Sequence, residues 1–142
     1  MFLTTKTKHC TVKGLLHGLL SFTQLYGLYH NGKTEYRIKF YEVPETLDTT
    51  KPFIVIDNFL GPQTNAYFAN NKALSIRFNY QINVESMDRM TTKQISKAVE
   101  ETMKQIGFGR LDGGLDQYFN ETKRFVDARR YRKNTQIHDT DY

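Results

Sequence analysis

Leu74-Ser-Ile-Arg-Phe-Asn-Tyr-Gln-Ile-Asn-Val-Glu85 is the stretch that decides the fold. Leu74, Ile76, Phe78, Tyr80, Ile82 and Val84 alternate with Ser75, Arg77, Asn79, Gln81, Asn83 and Glu85. A period of two means that successive side chains leave opposite faces, so these twelve residues predict one long strand with a dry side and a wet side. Such a strand needs partners along its edges and a cover for its dry face.

Downstream the period changes. Ile95, Ala98, Val99, Thr102, Met103 and Ile106 share one side of a helical wheel, and Lys93, Lys97, Glu100, Glu101 and Lys104 the other. Thr91 or Thr92 is the expected cap and Gly107 the expected left-handed stop. The apolar stripe predicts a helix lying on the dry face of the sheet. Upstream, Tyr36, Ile38 and Phe40 alternate with Arg37, Lys39 and Tyr41, and Phe53-Ile-Val-Ile-Asp57 reads as a short buried strand. Residues 61–71, opened by Gly61-Pro62, read as a loop. Residues 11–28 carry Leu15, Leu16, Leu19, Phe22 and Tyr26 at helical spacing, weakened by Gly14 and Gly18. Asp112-Gly-Gly-Leu is a turn, and residues 119–133 are extended. The order helix, three strands, helix, strand predicts a single α+β domain over residues 1–142. It consists of an antiparallel sheet of about four strands with helices on one face, a loose arm at 1–10 and a polar tail at 135–142.

Composition narrows the function. With 142 residues the chain is long enough to bury a core of its own. The excess of 20 basic over 15 acidic residues, a formal +5, suits anionic surroundings but does not establish nucleic-acid binding. Cys10 is the lone cysteine, so neither a disulfide framework nor a cysteine zinc cluster is expected, and a reducing, intracellular setting is. No apolar run approaches the roughly 20 residues that span a bilayer, so no membrane partner is expected. His9, His17, His30 and His138 have no metal-ligand spacing. Asp112-Gly-Gly-Leu-Asp116 lacks the alternating oxygen ligands and closing glutamate of a calcium loop. No glycine-rich phosphate cradle occurs. The expectation is a protein that is not an enzyme, with no catalytic or metal residues and no cofactor.

One segment stands out by charge. Residues 123–133 hold Lys123, Arg124, Arg129, Arg130, Arg132 and Lys133 against Asp127 alone. On a strand, Arg130 and Arg132 share one face while Arg129 and Tyr131 share the other. Arginines among aromatics suit a partner's carboxylates, a phosphate backbone, or a charged edge that blocks aggregation. Arg124, Arg129, Arg130, Arg132 and Lys133 are therefore candidate subunit or partner contacts, joined by Tyr67 and Phe68 as candidate anchors in the 61–71 loop.

Several stretches together carry a family resemblance: Phe40-Tyr-Glu-Val-Pro-Glu, Pro52-Phe-Ile-Val-Ile-Asp-Asn-Phe, Ala69-Asn-Asn-Lys-Ala followed by the long strand, Ile106-Gly-Phe-Gly, and Tyr118-Phe-Asn-Glu-Thr-Lys-Arg-Phe-Val-Asp-Ala-Arg-Arg-Tyr-Arg. Over residues 35–134 they resemble the small tail-terminator, or tail-completion, proteins of long-tailed phages and prophages of Gram-positive bacteria. The resemblance implies a fold related to the tail-tube protein and a hexameric ring at the head–tail junction of the virion, made in the host cytoplasm. That ring would cap the tail tube, stop its polymerisation and join it to the head-completion protein, with phage DNA passing through without sequence-specific contacts. The competing readings are a head-completion (stopper or adaptor) protein of the same neck and a small nucleic-acid-binding regulator acting through residues 123–133.

Overall fold

The computed structural model describes residues 37–57 and 64–136. The 11–28 helix, the arm at 1–10, Cys10 and all four histidines lie outside the described residues, as does most of the polar tail.

The long alternating stretch is a strand, as its period predicts. β4, Lys72–Ser86, buries Phe78, Tyr80, Ile82 and Val84. Its first turns extend past the core, and Leu74, expected on the dry face, is 54% exposed. Alongside runs the late arginine-rich segment, β7, Arg124–Gln136, antiparallel to β4 from Ser75 opposite Gln136 to Ser86 opposite Phe125. This pair is the spine of the molecule. On the outer side of β4, two shorter strands stand in line: β2, Phe53–Asp57, against its second half, and β3, Thr64–Ala69, against its first. β1, Ile38–Phe40, lies outside β2 and runs parallel to it. On the outer side of β7 stand β5, Gly109–Arg110, and β6, Leu115–Phe119, both antiparallel to it.

The helix α1, Arg89–Gln105, covers one face. Its cap is Asp88, whose carboxylate accepts from the Thr91 backbone N–H at 2.7 Å and the Thr91 hydroxyl at 2.8 Å, so Thr91 and Thr92 fall inside the first turn. At the other end Gly107 has φ +91° and the chain makes both bonds of a Schellman stop, Phe108 N–H to Met103 O at 2.8 Å and Gly107 N–H to Lys104 O at 3.1 Å. The turn delivers Phe108 into the core. There it joins Ile95, Val99 and Met103 of the helix and Ile54, Ile56, Tyr80, Ile82, Val84 and Tyr131 of the sheet.

The expected fold class needs correction. The sheet has seven strands rather than about four, it is mixed rather than antiparallel, and a single helix packs on it among the described residues. Strands hold 52% of the described residues and the helix 18%, which makes the molecule mainly β. The additional strands, β3, β5 and β6, are short and largely exposed. They form because the long strands offer unsatisfied backbone edges, and such pairing requires no apolar alternation. The loop expected at 61–71 thus contains β3, which turns into β4 through Asn70-Asn71, both at positive φ (48° and 59°), between the paired Ala69 and Lys72. Two central residues in that conformation make the type I′ turn that suits a tight hairpin, and asparagine tolerates it.

Among the described residues, the second face of the sheet is covered at one end only. Leu47, in the loop after β1, packs with Phe53 and Val55. Arg37, 2% exposed, holds that loop by donating to the backbone carbonyls of Pro52 at 2.7 Å, Lys51 at 3.0 Å and Asp48. A buried guanidinium spread over backbone carbonyls replaces lost water with fixed acceptors.

Candidate functional site

Alternation on β7 divides the candidate residues between two environments. Asp127, Arg129, Tyr131 and Lys133 face the helix, while Arg124, Arg130 and Arg132 face the bare side. The pairing of Arg130 with Arg132 and of Arg129 with Tyr131 is the one the period predicts.

On the helix side the charges form a closed network. Asp127, 3% exposed, receives Lys93 Nζ at 3.0 Å and a fork from Arg129, Nε at 2.9 Å and Nη2 at 3.0 Å. Glu100 of the helix takes Arg129 Nη1 at 2.6 Å and Arg110 Nη1 at 3.2 Å, and Lys93 also meets Asp116 of β6. Burial alone would push the Asp127 carboxyl up, but the hydrogen bonds from Arg129 and Lys93 outweigh it and hold it below the usual carboxylate range. The Asp127 fork in turn raises Arg129. Lys133 donates to the Ile106 carbonyl at 2.8 Å, at the negative end of the helix dipole, with its ammonium 5.7 Å from the Phe108 ring centre. Burial pushes the Tyr131 hydroxyl up to about 12, and that hydroxyl has no hydrogen-bond partner among the described residues.

On the bare side the arginines meet side-chain amides across the strands. Arg130 Nε donates to Gln81 at 3.2 Å, Arg132 Nε to Asn79 at 2.9 Å, and Arg77 Nε to Asn134 at 3.3 Å. Arg124 differs: it lies 5.2 Å from the Phe53 ring centre and 3.5 Å from Glu85. An open groove of about 530 Å³ runs over this face between Gln81, Glu85, Leu115, Phe119 and Arg130.

Tyr67 and Phe68, 65% and 66% exposed, lie on the β3–β4 hairpin, and the Tyr67 hydroxyl accepts from Asn134 Nδ2 of β7 at 3.5 Å. The seven candidates therefore do not form one site. Arg129 and Lys133 are committed within the subunit, Arg130 and Arg132 present a polar face, and Tyr67 and Phe68 belong to a strand edge. Sequence reasoning named Tyr67 and Phe68 but placed them in a loop and not on a strand edge, and it did not single out the opposite edge at β6, where Leu115, Tyr118 and Phe119 are exposed. The signal for the first was the Asn70-Asn71 turn between two aromatic- and alanine-rich halves.

Among the described residues no group of three or more His, Cys, Asp or Glu side chains could hold a metal ion, and no helix is long and apolar enough to cross a membrane. No family model matches the sequence, and no curated protein matches it. The fold does have a counterpart. The chain is similar to a chain in a solved structure of the virion of a native gene transfer agent particle, with a TM-score of 0.58 and 13% identity over 95% of this chain and 99% of that one. At that identity the likeness is one of fold.

Proposed function

We propose that this protein is a structural component of a phage-like virion. In this reading it is a tail terminator, a ring of identical subunits, six in number, that caps the tail tube, ends its growth and joins it to the head-completion protein. The observation that carries the virion role is the shared fold with a virion chain over nearly the full length of both. The resemblance of residues 35–134 to tail-completion proteins supports the finer assignment.

The surfaces suit a mechanical task. Exposed apolar side chains sit on sheet edges, where another chain can add a strand. The bare face carries arginines bonded to amides rather than a helix shaped for a DNA groove, which fits a lumen that DNA passes without being read. The protein then acts in the virion neck after assembly in the host cytoplasm, by shape and without catalysis.

The decisive experiment adds the purified protein to isolated tails and, separately, to DNA-filled heads, and follows particles lacking it. Binding to tail ends, together with over-long or unjoined tails in its absence, is the expected result. Binding to heads alone would identify a stopper or adaptor instead, and normal joined tails in its absence would end the reading.

A further inference from the structure

We infer that copies of this chain join head to tail by pairing the outer edge of β3 in one copy with the outer edge of β6 in the next. This deepens the ring reading above by naming its subunit interface. Among the described residues β3 pairs only with β4, and β6 only with β7, so each leaves one backbone edge open, on opposite sides of the sheet. Edge strands normally carry a lysine, a proline or a bulge to discourage pairing. β3, Thr-Asn-Ala-Tyr-Phe-Ala, has no charge and no proline, although Tyr67, at φ +53°, interrupts its ladder between Ala66 and Phe68. β6 has one charge, Asp116, and that is taken up by Lys93 of its own subunit. Both edges carry exposed apolar side chains, Phe68 at one, beside Tyr67 whose hydroxyl turns back to Asn134 of β7, and Leu115, Tyr118 and Phe119 at the other.

Charge makes the two edges complementary rather than alike. Residues 64–77 contain Lys72 and Arg77 and no acid, whereas residues 111–121, apart from Asp116 that Lys93 already neutralises, contain Asp112 and Glu121 and no base. Self-pairing of either edge sets like charges together, and joining one to the other sets opposite charges together. Direction agrees as well. β3 opposes β4, β4 opposes β7 and β7 opposes β6, so β3 and β6 run in opposite senses and continue the sheet as an antiparallel pair. Because the interface uses two different surfaces, it propagates from copy to copy and closes only as a ring. Ala66 lies opposite Ser75 and Gln117 opposite Val126, itself opposite Glu85. The two edges are therefore offset along β4 by about 33 Å at ~3.3 Å per residue. A closed ring takes up that offset, ten residues over four strands, only with its strands tilted by about 60° against the ring axis, steeper than the ~35–45° usual in barrels.

The test uses the full chain and two charge-reversed variants, Lys72→Glu with Arg77→Glu, and Asp112→Lys with Glu121→Lys, followed by native mass spectrometry across micromolar concentrations. Wild type should assemble, and each variant alone should lose assembly at least about tenfold in apparent affinity. An equimolar mixture should regain it in complexes with even subunit numbers. Far-UV circular dichroism checks folding. Should a reversal unfold the chain, Phe68→Ser, at a side chain open to solvent, replaces it with the same expected loss. Assembly indifferent to these changes, or a mixture that stays apart, overturns the β3–β6 pairing while leaving the tail-binding test of the ring untouched. A wild-type chain that is monomeric throughout overturns the pairing too.

Discussion

The two faces of β7 are written in one run of residues yet obey different energetics. Toward the helix, Arg129 reaches Asp127 and Glu100, and Asp127 is almost wholly withdrawn from water. Toward the bare side, one residue further on, Arg130 and Arg132 reach Gln81 and Asn79 across the sheet. An ion pair cut off from water is costly to half-remove, because the survivor is left charged without compensation. An arginine bonded to a neutral amide leaves behind an uncharged group, half-open to water at Gln81 and buried at Asn79, and never an uncompensated charge. The difference teaches that charge density along a segment says little until the pleat has assigned each residue a side.

The largest effect that would sharpen this contrast is expected from Asp127→Asn. Lys93 and Arg129 keep one carboxylate each, Asp116 and Glu100, so the loss should sit near the lower end for a broken buried pair, about 3 kcal/mol in urea unfolding. A loss no greater than that of Arg132→Gln would erase the distinction between the faces.

Acid should reveal the same asymmetry. The Asp127 carboxyl titrates lower in the native state than in the unfolded chain, where it lies near 3.9. As the pH falls, the unfolded chain takes up the proton first. The stability due to Asp127 is thus complete above about pH 4 and is lost as the pH drops through the native value. Glu85, on the bare side, goes the other way: burial raises it, partly offset by Arg124. Its burial opposes folding at neutral pH, and that opposition fades as acid protonates it in the native state. The gap between wild type and Asp127→Asn should therefore be constant from neutrality to about pH 5 and close below about pH 4. A gap that persists in acid would show that Asp127 acts through shape and not charge.

Next in size comes Tyr131→Phe. The Tyr131 hydroxyl is buried without a partner, so its removal deletes an unsatisfied group and leaves the ring packed in the core. Stability should rise by about 1 kcal/mol, read as a shift in the unfolding midpoint at unchanged m. A fall would mean that the hydroxyl does find a partner in solution.

Legibility followed burial. β4 and α1 alternate or repeat because one side of each is dry, and the core they share was readable residue by residue from Phe78 to Met103. Gly107 was readable because a left-handed stop needs it, and the parity of Arg129 and Arg130 because a strand allows no other. What escaped has no dry side of its own. β3 and β6 are exposed along nearly their whole length and are held by backbone bonds to strands distant in sequence. The parallel β1–β2 pair escaped for a different reason: both strands were visible, but direction is fixed by the path of the loop that Arg37 pins, which periodicity does not record. The Lys93–Asp127–Arg129–Glu100 network draws on two elements, the helix and β7, and no local pattern joins them.

The smallest expected change is the most exacting for the comparison. Arg132→Gln removes a charge from the bare face but keeps an amide able to donate to Asn79 from the same strand position. Its neighbours on the sheet remain paired, the core is untouched, and a half-buried exchange that keeps the bond to Asn79 should cost no more than about 0.5 kcal/mol. Arg130→Gln, opposite Gln81, should match it, and the two together should be additive within about 0.5 kcal/mol, since each guanidinium meets a separate amide. If the bare face instead proved as sensitive as the helix face, its arginines would be structural, and a solvent-facing surface that tolerates exchange would have to be sought elsewhere on the sheet.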